Sequence, residues 1–331
     1  MKVSIVLPVY NKAPFLRECL DSIRAQTFTD FEIIAVDDCS TDASLEILRA
    51  YDAPRLRVEA LPQNMGPAGA AQRAMDLAQG EYIVRMDADD IMVPERLALQ
   101  VAFMDAHPAI GASGGAVQLF GAESGSWHYP TDPDALMAEL LFGVPVPQGA
   151  SILRTAVVRA SGVRYLDHWP RIGEDWLFWS ALARHTRLAN IDAVILRYRR
   201  GEQNIAHGQD RAATRRERIR LVLGSFGLAP TDAQIEAHLL ASHIVPAHVG
   251  PDAVRACHDW ISHLHAWNRT SGFAPPAAME QRLDHAWYGL FHRLADQGFA
   301  PAWTHIQLSP DRKKAHLIYL LKRRLRAWTG Q

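Results

Sequence analysis

Asp87, Asp89 and Asp90 close the stretch Tyr82-Ile83-Val84-Arg85-Met86-Asp87-Ala88-Asp89-Asp90. Asp87 and Asp89 are separated only by Ala88, and carboxylates that close repel unless a proton or a cation intervenes. Mg²⁺ or Mn²⁺ suits such a pair, because a hard ion takes one or two carboxylates and completes its shell with water and substrate phosphates. The competing reading is an acidic turn in which Asp90 caps a helix beginning near Pro94. A second run, Asp37-Asp38-Cys39-Ser40-Thr41-Asp42, also puts acids after an apolar segment, and Ser40 or Thr41 can cap the helix that follows.

The elements that must carry these acids are short apolar runs. Val3 to Val9, Phe31 to Asp37, Leu56 to Leu61 and Tyr82 to Met86 read as buried strands. Helical spacing recurs between them: Phe15, Leu16, Cys19, Leu20 and Ile23, then Leu45, Ile47 and Leu48, then the alanine-rich Ala68 to Ala78. Strand and helix in alternation predict an α/β fold with a parallel sheet, right-handed crossovers and helices on both faces. Three strand ends then open on one sheet edge, Pro8-Val9-Tyr10-Asn11, Asp37-Asp38 and Asp87-Ala88-Asp89-Asp90. In open α/β sheets that edge is where ligands bind. Neither a GxGxxG after the first strand nor a GxxxxGK[ST] is present, which excludes the dinucleotide fingerprint and the P-loop.

Composition narrows the class. Across 331 residues, 35 basic side chains stand against 36 acidic ones, so bulk charge does not suit a nucleic-acid partner. Cys19, Cys39 and Cys257 are few, odd in number and far apart, the usage of a reduced, cytoplasmic protein without a disulfide framework or zinc site. The first residues enter a strand directly, leaving no room for a secretory signal, and no stretch approaches the ~20 apolar residues of a membrane span.

The run from Val3 to Asp42, followed by Gln63-Asn64-Met65-Gly66, Gly80 to Asp90 and Val93-Pro94-Glu95-Arg96-Leu97, resembles the glycosyltransferase family 2 proteins of GT-A fold. The likeness is strong over about the first 110 residues and weaker to about residue 205. It implies a nucleotide-sugar donor, with a UDP-sugar favoured, and inversion at the anomeric carbon. It places Pro8 and Tyr10 at the nucleobase, with Val9 and Asn11 alongside, and Asn64 on the donor side. It also has Asp38 accept a hydrogen bond from the base, Asp87 contact the ribose or share the metal shell, and Asp89 hold a divalent Mn²⁺ or Mg²⁺. One departure concerns charge: Ala71 and Gln72 stand where the family often has arginine and asparagine, leaving Arg73 or Arg85 to supply a cation.

Further along, Ile110 to Phe120 reads as a strand, Asp132 to Leu141 as a helix, and Pro145 to Leu153 resembles the family's acceptor-side strand. Gln148 and Gly149 sit there either beside the donor sugar or in a plain turn. Glu174-Asp175-Trp176 resembles the family's Glu-Asp motif, which makes Asp175 the base that deprotonates the acceptor and puts Glu174 and Trp176 on the acceptor side. Capping of the helix by the two acids, and a core position for the tryptophan, are the competing readings. After the strand Ala189 to Tyr198, Gly201 stands where the family often has a metal-binding histidine, and His207 follows six residues later.

These readings divide the chain into a glycosyltransferase domain over 1–207, with halves 1–110 and 111–207, and a helical module over 208–331. The last helix sets Ile318, Leu321, Leu325 and Trp328 among lysines and arginines. That pattern fits either peripheral contact with an anionic membrane, suited to a lipid-linked acceptor, or a stripe packed on the protein. The expected product is a glycan or glycoconjugate of a bacterial surface. The rivals are a non-catalytic sugar-nucleotide binder or scaffold of the same fold and, on a similar sheet, a sugar nucleotidyltransferase.

Overall fold

A computed structural model describes the chain except Pro54, Asp167, His168, Arg171, 202–210, Pro310, Arg312 and 330–331; the side chains of 211–213, Lys313 and 323–329 are also left aside. The chain divides into two compact units, Met1–Arg211 and Ala212–Gln331.

The first unit opens with β1 (Val3–Val9), α1 (Ala13–Arg24), β2 (Phe31–Asp37), α2 (Ser44–Ala50), β3 (Leu56–Ala60), α3 (Gly66–Leu77) and β4 (Tyr82–Arg85). Strands β1 to β4 pair in parallel in the order β3-β2-β1-β4. β1 is buried almost throughout, as a strand covered on both faces must be. α1 begins with a proline in its first turn, where the missing N–H costs nothing, and buries Leu16, Cys19, Leu20 and Ile23 as one stripe.

The unit continues with β5 (Ile91–Met92), α4 (Arg96–Ala106), β6 (Ile110–Gly121), β7 (Gly125–Trp127), α5 (Pro133–Glu139), a 3-10 turn (Gln148–Ala150), β8 (Ile152–Arg154), α6 (Thr155–Ser161), α7 (Glu174–Leu182) and β9 (Arg187–Arg200). β8 joins β4 antiparallel, β6 follows β8, and β9 lies parallel to β6. The result is one mostly parallel sheet flanked by helices, in the order β3-β2-β1-β4-β8-β6-β9-β5 with β7 on β6.

Two capping expectations fail. Asp90 does not cap α4, whose N-cap is Glu95 without a side-chain bond, because the chain first pairs β5 with β9. Neither Ser40 nor Thr41 caps α2; Asp42 accepts from the Ser44 N–H at 2.9 Å instead, and both hydroxyl residues face Asn11.

The second unit is helical: α8 (Arg211–Ser225), α9 (Asp232–Ala241), α10 (Pro251–Ser271), α11 (Pro276–Gln297), α12 (Phe299–Gln307) and α13 (Lys313–Thr329). α12 was not legible as a helix. Of the two readings of the last helix, the stripe packed on the protein does not hold at its described positions in α13. Leu317, Tyr319 and Leu320 pack on the Phe291 cluster, while Ile318 and Leu321 are 43% and 62% exposed. Leu325 and Trp328 lie outside the described side chains.

Candidate active site

The end of β4 is the floor of the site. Arg96, fully buried at the start of α4, donates to the carbonyls of Arg85 (2.8 Å), Gly149 (2.9 Å) and Ser151 (3.3 Å), and its Nε donates to Gln100 (3.0 Å). One guanidinium thus ties the acid-bearing strand to the 3-10 turn, and burial lowers its pKa to about 9. Sequence reasoning gave Arg96 no role. The signal was there: Arg96 and Gln100 fall on the buried stripe of α4 with Leu97, Val101 and Met104, and charge on such a stripe requires partners.

The three carboxylates have different surroundings. Asp89 accepts from Lys12 Nζ at 2.5 Å, and its carbonyl accepts from Arg199 Nε at 2.8 Å. Asp90 is 1% exposed and accepts from the Arg199 N–H at 2.8 Å, while its second oxygen has no partner among the described residues. Asp87 has Arg85 at 3.5 Å and keeps 37% of its side chain exposed. Burial, then the charges of their acidic neighbours, raise the pKa of Asp87 and Asp90, with Arg85 opposing the rise at Asp87. Gly149 closes in from the turn: a Cβ there would lie 2.7 Å from Asp87 Oδ2.

The β1 and β2 ends meet beside this cluster. The Asp38 N–H donates to the Val9 carbonyl (2.8 Å), and Asp38 accepts from the Met65 N–H (2.6 Å) and, at its carbonyl, from Asn64 (3.1 Å). Asn11 adopts a positive φ of 51° and accepts from the Thr41 N–H (2.8 Å), which ties the two loops. Pro8 is half-buried and Tyr10 is 46% exposed, open for stacking. Val9 is a correction: its side chain is 1% exposed in the core, so only its backbone faces the loop region.

α7 supplies the second acid group. Gly173, at φ 82°, turns the chain into the helix, and Glu174 and Asp175 occupy its first turn. Asp175 accepts from the Trp176 N–H at 2.8 Å. Glu174 is raised to about 8, first by burial, then by Asp175, with Asp87 adding to the rise and Arg85 opposing it. Tyr165 connects the groups. It stacks on Phe178 of α7 at 4.8 Å, accepts from Gln148 of the turn, and feels the charges of Arg85, Glu174, Asp175 and Asp87. Asp87 therefore lies near enough to Glu174 for its charge to help raise that carboxyl, with Tyr165 feeling both.

Trp176 is the second correction. It is fully buried, and its Nε1 donates to the Leu140 carbonyl at 2.7 Å, so it cannot offer a face to an acceptor. Trp179, 1% exposed, is core as well. Lys12 and Arg199 were missed, since nothing local marks a side chain whose partner arrives from another strand. Gly201 has no side chain to donate to a metal, and His207 lies outside the described residues.

The donor set bears on a cation. Among the described residues no group of three or more His, Cys, Asp or Glu side chains is placed to hold a metal ion by itself. An orphan buried oxygen on Asp90 and carboxylates that raise one another's proton affinity nonetheless fit a hard ion that draws its other ligands from a substrate.

Comparison with known proteins bears on the same region. Residues 4–155 match the model of glycosyl transferase family 2. An uncharacterized glycosyltransferase of Haemophilus influenzae is 28% identical over 245 residues, spanning 68% of this chain and 76% of that protein. The poly(ribitol-phosphate) beta-N-acetylglucosaminyltransferase TarS of Staphylococcus aureus is 39% identical over 111 residues, 32% of this chain but only 19% of its own length. The crystal structure of S. aureus TarS 1-349 in complex with UDP-GlcNAc superposes with a TM-score of 0.61 at 22% identity, covering 87% of this chain and 92% of that one. The mannosyltransferase PcManGT from Pyrobaculum calidifontis, in complex with GDP-Man and Mn²⁺, gives 0.50 at 20% identity, covering 98% and 87%. At these identities the two structures speak for the fold alone.

Proposed function

Since this chain belongs to the family 2 glycosyltransferases and is a transferase related to enzymes of teichoic acid and exopolysaccharide synthesis, we propose that it moves a sugar, with inversion, from a nucleoside diphosphate donor to an acceptor hydroxyl. A UDP-sugar is the favoured donor, and a glycan or lipid-linked molecule of a bacterial surface polysaccharide is the acceptor. The observation that supports this reading is that the 3-10 turn links the two acid groups: Gly149 lies against Asp87, and Gln148 donates to Tyr165, which stacks on Phe178 of α7 beside Glu174 and Asp175.

Each group has a task. Tyr10 stacks on the base, and Asp38, held between Val9 and Met65, presents its carboxylate to the base edge. Asp87 contacts the ribose. Asp89, with Asp87 beside it, would hold Mn²⁺ or Mg²⁺, which when bound offsets charge on the departing diphosphate. Asp175 takes the proton from the acceptor hydroxyl as that oxygen attacks the anomeric carbon from the face opposite the leaving group. Glu174, at about 8, carries a proton at neutral pH and can donate a hydrogen bond to the acceptor. Arg199 positions Asp89 and Asp90 from β9.

The work is assigned to the cytoplasmic face of the membrane. No described helix is long and apolar enough to cross it. Peripheral contact is supported by exposed Ile318 and Leu321 beside the exposed Lys314 and Lys322. The test is a panel of UDP-, GDP- and dTDP-sugars incubated with the purified protein and Mn²⁺, read as released nucleoside diphosphate. Release with at least one donor is expected even without acceptor. Binding without release would favour the non-catalytic alternative, and absence of both would end the reading.

A further inference from the structure

Arg85 is an anomaly in the first unit. It is 4% exposed, yet its Nε and Nη1 have no hydrogen-bond partner among the described residues, and Nη2 reaches Asp87 only at 3.5 Å. A guanidinium carries five donors, and leaving them unmet in a buried place costs folding free energy. Strand alternation turns Arg85 away from Val84 and Met86, which sit in the core, toward the side where Asp87, Glu174 and Tyr165 feel its charge. The other candidate cation is already engaged: Arg73 is 45% exposed in its side chain and holds Glu59 at 2.5 Å. Ala71 is fully buried and brings no charge.

We propose that Arg85 binds the diphosphate of the donor, so that the cation comes from the floor strand β4 rather than from helix α3. Phosphate oxygens match the planar fork of a guanidinium and supply acceptors for the Nε and Nη1 that have none among the described residues. This inference rests on the nucleotide-sugar reading above and assigns Arg85 a place within that site.

The experiment is calorimetric titration of the full chain with UDP and with UMP, Mn²⁺ present, for the wild type, Arg85→Met and Arg85→Lys. If the donor screen selects another base, its diphosphate and monophosphate replace them. In Arg85→Met the preference for diphosphate over monophosphate falls by about 10- to 100-fold. UMP affinity stays unchanged, and the melting temperature without ligand does not fall, whereas a merely structural arginine would lower it. Arg85→Lys, a point charge without the fork, keeps part of the preference. Should Arg85→Met not fold, the Lys variant carries the test. An unchanged preference in the variants that fold overturns the assignment while leaving the nucleotide-sugar reading intact. A wild type that binds neither nucleotide brings down both.

Discussion

The two units both bury titratable side chains, with opposite results. In the second unit the buried groups are histidines set among aromatic rings. His305 lies 4.1 Å from the Trp287 ring, His316 lies 3.8 Å from Phe291, and the Trp260 indole donates to His238 at 3.0 Å. Burial depresses His305 to about 4, and its Nε2 lies 3.0 Å from the Trp287 carbonyl, so at neutral pH it is an uncharged ring with a partner. In the first unit carboxylates crowd together, and desolvation and like charge raise the pKa of Asp87, Asp90 and Glu174. An imidazole can shed its charge and join a core. Clustered acids beside an arginine whose Nε and Nη1 have no hydrogen-bond partner among the described residues cannot all do so. Burial alone does not mark a site; burial with charge left unsatisfied does.

The largest expected effect tests the acid side of this contrast. Asp175→Asn keeps the shape of the α7 start but removes the base, and kcat falls by about 10³-fold while donor binding by calorimetry is retained. Full transfer by this variant would place the base elsewhere. Next comes the fit around Asp87. Gly149→Ala puts a methyl 2.7 Å from Asp87 Oδ2, so one of the two must move, and transfer drops by about 100-fold in a steady-state assay. An undisturbed rate would mean that the position of Asp87 is immaterial.

The contrast also predicts two pH slopes of opposite sign. The depressed His305 leaves the native state with fewer bound protons than the unfolded state below the ordinary histidine range. Its stabilisation is therefore present above about 6.5 and lost as pH falls toward about 4, on the order of 3 kcal/mol in full. Glu174 is raised from 4.5 to about 8, so its contribution is present below 4.5 and lost as pH rises through about 8. Denaturant melts from pH 4 to 8 read both slopes. His305→Phe flattens the acid side and Glu174→Gln the alkaline side, and a variant that keeps the wild-type slope refutes that half of the contrast. The smallest effect concerns Trp176. Trp176→Phe costs about 1–2 kcal/mol through its lost bond to Leu140 and lost volume, with acceptor KM unchanged; a raised KM would restore it to the acceptor surface.

Much of the acid edge was legible because parallel strands finish on the same side. The runs Val3 to Val9, Phe31 to Asp37 and Tyr82 to Met86 needed only their apolar character to bring Asn11, Asp38 and Asp87 to one border. The motif around Asp89 was visible for the same reason, though its Lys12 partner was not. Trp176 and Val9 were misplaced because an aromatic or branched side chain reads alike whether it lines a hollow or fills a core.

By itself, then, the chain's own order of residues determined which segments are strands, which helix faces turn inward, and that several acids share an edge. These follow from local periodicity, which every segment carries within itself. Only the tertiary structure decided that Asp90 belongs to Arg199, 109 residues away, that Arg96 pins the floor to the 3-10 turn, and that Arg85 is buried with two nitrogens unpartnered among the described residues. Hydrogen bonds and desolvation depend on what arrives through space, and distant segments declare their partners only once the sheet has brought them together.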